Sequence, residues 1–99
     1  LDDYLAHAGL KKLTSATVVD RAQLRQRILA VRERGYAWID RELDDSICGL
    51  AVPVRDRDGV TIAALNVSLP AGEMEEATAV ARYLVDLRQA ASQLRAAIV

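Results

Sequence analysis

The sequence predicts an α+β fold, a small antiparallel sheet with flanking helices, and three patterns carry that prediction. Apolar residues recur at helical spacing over residues 20–35, alternate with period two over residues 36–69, and return to helical spacing after Glu76. The pair Asp58-Gly59 joins the last two extended runs and is a strong short-range hairpin signal, so those strands pair antiparallel. The order helix, helix, three strands, helix lacks the alternation that builds a parallel sheet.

Each element follows in turn. In LDDYLAHAGL, residues 1–10, Leu1, Tyr4, Leu5 and Ala8 stand at helical spacing and Gly9 is a stop, giving a short helix or the tail of one begun upstream. The next stretch, KKLTSATVV, is irregular or briefly extended. Asp20 and Gln23 then form a capping box, in which the carboxylate accepts from first-turn amides. A helix of about 15 residues starts there. Its apolar positions are Leu24, Ile28 and Val31, with Leu29 flanking, and Gly35 ends it.

The period then changes to two. YAWIDRE, residues 36–42, is aromatic and β-branched enough for a strand, and Asp44, Asp45 and Ser46 supply turn chemistry. In the second strand, ICGLAVPVRD, Cys48, Leu50, Val52 and Val54 share one face, while Ile47, Gly49 and Ala51 share the other. Pro53 places its nitrogen at an edge or a bulge. On the returning strand, VTIAALNVSL, Ala63, Leu65, Val67 and Leu69 share one parity, and the opposite parity brings Asn66 and Ser68 together beside Ala64. A solvated face explains that polar pair, and so does the floor of a small pocket. Pro70, Ala71 and Gly72 break the sheet, and Glu73, Glu75 and Glu76 suit the positive end of a final helix. That helix carries an apolar stripe of Ala77, Val80, Ala81, Leu84, Leu87, Ala91, Leu94 and Ile98. Three strands with helices on one face leave open edges, so strands upstream of Leu1 are expected to complete the sheet.

Composition narrows function by exclusion. Thirteen Lys and Arg against 14 Asp and Glu leave no basic footprint for nucleic acid over a whole surface. One cysteine excludes an internal disulfide and any multi-cysteine zinc site, and it fits a reducing, cytoplasmic location. No run approaches the roughly 20 apolar residues that span a bilayer, so no membrane partner is expected. No cluster of His, Cys and acids has catalytic or metal spacing, which argues against an enzyme and against a cofactor.

Ordered short motifs go further. Leu13-Thr14-x-x-Thr17-x-x-Asp20 leads into a helix that exits through Arg32-x-x-Gly35-Tyr36. Asp40-x-Glu42, the hairpin Ala51-x-Pro53-Val54-x-Asp56-x-x-Gly59 and the strand Ala64-Leu65-x-Val67-Ser68 follow in order. Together they cover nearly the whole chain, which resembles the C-terminal effector-binding domain of IclR-family bacterial transcriptional regulators. Leu1-Asp2-x-Tyr4-Leu5 and Ala64-Leu65-Asn66-Val67-Ser68 resemble the subgroup that regulates protocatechuate and hydroxybenzoate catabolism in the β-ketoadipate pathway.

The resemblance implies a GAF-like effector domain, with residues 1–99 its C-terminal part and the DNA-binding winged helix-turn-helix outside this chain. It also implies a dimer or tetramer and a small organic acid as effector. Within the family the small polar pair lines the effector pocket and maps onto Asn66 and Ser68. The family's acidic pair after the Gly-Tyr turn maps onto Ile39 and Asp40, so its first acid is lost. A family Cys or Ser aligns with Gly49, while Cys48 stands one residue earlier, an offset that reverses the strand face. The expected effector-binding set is therefore Ile39, Asp40, Cys48, Gly49, Asn66 and Ser68. Losing the acid at position 39 favours an apolar ring with a carboxylate over a short keto acid.

Plainer readings stand beside these. Cys48 also reads as a buried small hydrophobe, His7 as a surface residue of a short helix, and Arg21, Arg25, Arg27, Arg32 and Arg34 as a solvated basic helix face. A dimerisation module with an incidental polar pair is the alternative to ligand sensing.

Overall fold

The computed structural model describes residues 1–97, in the order α1 (Asp2–His7), α2 (Arg21–Arg34), β1 (Ala37–Asp40), β2 (Ile47–Arg55), β3 (Thr61–Pro70) and α3 (Glu76–Ala97). The strands form one antiparallel sheet in the order β1-β2-β3. No helix among the described residues is long and apolar enough to cross a membrane.

Helix α2 begins where its cap dictates. The Asp20 carboxylate accepts from the Gln23 amide at 2.9 Å, and Gly35 ends the helix in the left-handed region at φ 79°, donating its N–H to the Val31 carbonyl. Helix α1 is shorter than the expected ten-residue segment. It stops at His7 because Ala8 turns extended, at φ −66° and ψ 134°. The first strand is also shorter than residues 36–42. Arg41 adopts φ 57°, an uncommon left-handed conformation for a residue with a Cβ, and this turns the chain out of the sheet after Asp40.

The irregular stretch before α2 has a structural task that periodicity did not show. Thr14 Oγ1 donates to the Arg41 carbonyl and Thr17 Oγ1 donates to the Glu42 carbonyl, so two hydroxyls hold the loop that leaves β1. Arg27 adds a two-pronged ion pair to the Glu42 carboxylate.

Alternation on β2 sets the core. Cys48, Leu50, Val52 and Val54 are all buried, Leu50 completely, and they face α3. Burying a leucine side chain contributes about 1.5–3 kcal/mol. Leu84 and Ala91 of α3 close this core, with Trp38, Leu65, Val67, Val80, Tyr83 and Leu87 packed around it. The seam on α3 differs from the expected stripe. Ala79 is buried and Tyr83 half-buried, whereas Ala77, Ala81 and Leu94 are exposed. Ile98 lies outside the described residues.

Pro53 pairs with Ala64 of β3, while β1 reaches only to the Ala37–Ala51 pair, so Pro53 has no β1 partner. The Ile47 carbonyl accepts from the Arg41 amide on the β1 side, and by strand parity the Pro53 nitrogen faces that same side, past the strand's end. A register shift follows at Val54 and Arg55. The hairpin closes through Asp56, whose carboxylate accepts from the Asp58 and Val60 amides, and through Gly59 at φ 82°. The outer edge of β3 has no strand neighbour among the described residues.

Candidate functional site

One side of the sheet is filled by α3 and the other is not. On the second side, Ile39 of β1, Gly49 and Ala51 of β2, and Ala64, Asn66 and Ser68 of β3 stand in a row, because cross-strand pairing aligns Ile39 with Gly49 and Gly49 with Ser68. These residues, with Leu43, Ile47 and Cys48, line an open hollow of about 290 Å³, in which Asn66 and Ser68 are exposed. That is near the lower end of the range for small-molecule sites, about 300–1,000 Å³.

The small side chains create the space. Gly49, Ala51 and Ala64 lay down a floor with little projecting from it. Asn66 and Ser68 provide the polar end, with Asn66 Nδ2 donating to Ser68 Oγ at 3.3 Å. That contact leaves the Asn66 carbonyl oxygen, its second N–H and the Ser68 hydroxyl proton free for another molecule. A carboxylate accepts from the amide and hydroxyl donors of this pair, and a phenolic hydroxyl donates to the Asn66 carbonyl oxygen.

The cavity continues under α2. Two adjoining hollows, of about 360 and 230 Å³, are bounded above by Ile28 and Val31 and below by Ala37 and Ala51 or Ile39. The apolar stripe of α2 thus faces the sheet across a cleft, and α2 has no buried residue. Polar ties hold the helix instead: Arg21 donates to the Leu5 and Ala8 carbonyls, Arg25 pairs with Asp2, and Arg27 pairs with Glu42. Arg32 and Arg55 stand at the rim of the larger hollow.

The structure brings five of the six expected residues to this cavity: Ile39, Cys48, Gly49, Asn66 and Ser68. Asp40 is not among them. Its neighbour Ile39 occupies the cleft side, so alternation turns Asp40 toward α3, into a separate hollow of about 530 Å³ with Trp38, Arg41, Glu73 and Glu75. There its carboxylate accepts from Arg41 Nε at 2.9 Å and from Cys48 Sγ at 3.1 Å. The Arg41 hydrogen bond, aided by the Cys48 thiol, holds the Asp40 carboxyl below the usual range. Burial, reinforced by Asp40, pushes the Cys48 thiol up. Cys48 is thus a protonated, buried thiol on the core side that reaches the cavity only as part of its wall, and it is a poor nucleophile there.

Spacing alone did not single out Leu43, Ile47 or the cleft-facing residues of α2. The signal for Ile47 was present in its shared parity with Gly49. Among the described residues no cluster of His, Cys, Asp and Glu is arranged to hold a metal ion.

Comparisons with known proteins identify the chain's relatives. The family model described as bacterial transcriptional regulator IclR, C-terminal, matches residues 1–96. The Pca regulon regulatory protein of Pseudomonas putida is 37% identical over 94 residues, covering 95% of this chain and 32% of that protein. The p-hydroxybenzoate hydroxylase transcriptional activator of Acinetobacter baylyi is 31% identical, covering 94% of this chain and 34% of that protein. The chain therefore spans about a third of the length of these relatives. Among solved structures, a double mutant of the PobR inducer-binding domain from Acinetobacter in complex with 3-hydroxybenzoic acid superposes with a TM-score of 0.86 at 31% identity. That match covers 95% of this chain and 54% of that one. The IclR of Thermotoga maritima superposes at 0.88 with 26% identity, covering 98% of this chain and 39% of that one.

Proposed function

Because the chain belongs to the IclR C-terminal family of bacterial transcriptional regulators, we propose that it is the effector-sensing part of such a regulator, one that responds to an aromatic acid of the hydroxybenzoate class. A single observation carries this reading: Asn66 and Ser68 form the polar end of an otherwise apolar cavity on the sheet face opposite α3. An aromatic ring suits the Gly49, Ala51 and Ala64 floor and the Ile39 and Ile47 walls, and its polar substituent suits the pair. The relatives regulate the Pca regulon and p-hydroxybenzoate hydroxylase, and the PobR domain holds 3-hydroxybenzoic acid, which supports the same ligand class.

In this reading the regulator is a cytoplasmic homo-oligomer. DNA is contacted by a winged helix-turn-helix portion outside these residues, and upstream strands pair with the outer edge of β3. The effector acts by favouring one arrangement of the oligomer, which requires that it bind the two arrangements with different affinity. Helix α2, facing the cavity, is the element through which occupancy is felt.

Calorimetric titration of the full-length regulator with 4-hydroxybenzoate, protocatechuate and a short keto acid tests the proposal. The aromatic acids bind, and the pair Asn66→Leu and Ser68→Val weakens them about tenfold or more by leaving their polar groups unsatisfied. Absence of binding by every acid tested, with the oligomer intact, instead identifies a dimerisation module.

A further inference from the structure

On the side of the sheet that packs α3, three arginines line a single groove. Arg88 and Arg95 come from α3, two helical turns apart on one face, and Arg55 comes from the end of β2. Ser92 lies between the two helical arginines, and Ala91 and Gly35 leave the space they border open, about 290 Å³ in volume. None of the three makes an ion pair among the described residues, in contrast to Arg25, Arg27 and Arg41, each of which has a carboxylate. Like charges gathered without a counter-charge repel one another, and a bound anion relieves that repulsion.

Two of the three guanidinium groups are also anchored. Arg88 Nη2 donates to the Arg34 carbonyl at 3.2 Å, at the C-terminal end of α2, and Arg95 Nη2 donates to the Arg57 carbonyl at 3.4 Å. Arg88 packs close to Gly35, since a Cβ built there would stand 3.4 Å from Arg88 Nη2. An arginine has five N–H donors, so each anchored group keeps a free edge for a two-pronged contact with an oxyanion. Preorganisation of this kind lowers the ordering cost of binding.

We propose that this groove binds a phosphate-class oxyanion, either inorganic phosphate or the phosphate group of a small metabolite. The three arginines line one hollow of about 290 Å³ and the chain's net charge is −1, which suits a single small oxyanion better than a nucleic-acid backbone. The groove shares Val52, Pro53 and Arg55 with the larger hollow under α2, but none of its lining residues lines the Asn66 and Ser68 hollow.

The test is calorimetric titration of the full-length protein at constant ionic strength, using inorganic phosphate and a phosphate monoester as probes, up to about 10 mM. Saturable uptake of one anion per chain is expected. The double variant Arg88→Gln with Arg95→Gln weakens it about tenfold or more, and Arg95→Lys, which keeps the charge but loses the fork, weakens it less. Thermal melts establish that each variant is folded, and Ser92→Val, which removes only a hydroxyl, gives a second readout with an expected loss of a few-fold. Tighter binding of the monoester identifies a metabolite as the source and the reverse order identifies the free ion; either supports the site. No saturable uptake, equal uptake by wild type and the double variant, or a duplex oligonucleotide held by these arginines in preference to phosphate overturns it.

Discussion

Replacing Gly49 separates the cavity from the fold that supports it. Gly49 lies mid-strand, paired with Ile39 on one side and Ser68 on the other, and a Cβ built there meets only the Val67 carbonyl oxygen, at an ordinary 3.5 Å. Adding a side chain therefore creates no clash, and it removes the excess backbone entropy that makes a strand glycine cost about 0.5–1 kcal/mol relative to alanine. Gly49→Ala should raise the melting temperature by several degrees, since 1 kcal/mol corresponds to about 4–8 °C in a domain of this size. Gly49→Val should keep that stability and gain from the β-branched preference of strands. Its methyl groups, however, would enter the cavity between Ile39 and Ser68. Forcing a ring against two extra methyl groups costs about 1–3 kcal/mol, which is roughly a fivefold to 150-fold loss of affinity. Melting curves of the unliganded protein followed by titration with 4-hydroxybenzoate measure the two effects independently. Wild-type affinity in a stable Gly49→Val protein would remove the effector from this cavity, and a lowered melting point would refute the argument about available space.

Other substitutions test other parts of the structure. Leu50→Ala, at the fully buried centre of β2, should lower unfolding free energy by about 2–5 kcal/mol in urea titrations, and a loss under 1 kcal/mol would mean that the α3 seam is not the core. Asp20→Ala removes the carboxylate that caps α2 and should cost about 1 kcal/mol, read by the same titration. Asp40 gives a pH dependence. Its folded-state pKa lies below the ordinary 3.8, so its contribution is present at neutral pH and fades as pH falls through the folded value. Asp40→Asn should therefore be less stable than wild type at pH 7, with the gap narrowing as the pH falls through the folded value. A gap that stays unchanged down that acid limb would show that the Arg41 and Cys48 contacts do not favour the charged form.

The sheet was legible in the sequence because its two faces differ in chemistry. Cys48, Leu50, Val52 and Val54 alternate with small or polar neighbours, and a one-residue slip would expose the whole set, so the pattern admits one register. The same alternation separates Ile39 from Asp40, although a motif aligned residue by residue suggests that the two act together. The end of β1 was not legible, since nothing in Arg41 announces a left-handed backbone; the threonine hydroxyls of Thr14 and Thr17 that secure the following carbonyls come from a distant stretch. On α3, helical spacing alone left the buried seam ambiguous, because alanines occur on every side and packing selects Ala79 and Ala91 over Ala77 and Ala81. The α2 stripe was readable as apolar. That it faces a cleft instead of a packed interior depends on the tertiary arrangement, as does the meeting of Arg55, Arg88 and Arg95.

Helix α2, tied by arginines and slack along its middle, gives the molecule an uneven distribution of cohesion. Backbone amides over residues 24–31 should exchange with deuterated solvent far sooner than those of β2, because opening them uncovers little that was sequestered. A guest lodged beneath the helix would supply the missing contacts and slow that exchange. Arg21, bonded to two carbonyls of the α1 segment, then carries the tightening outward to the first residues of the chain, so rigidity itself becomes the quantity that a bound molecule transmits.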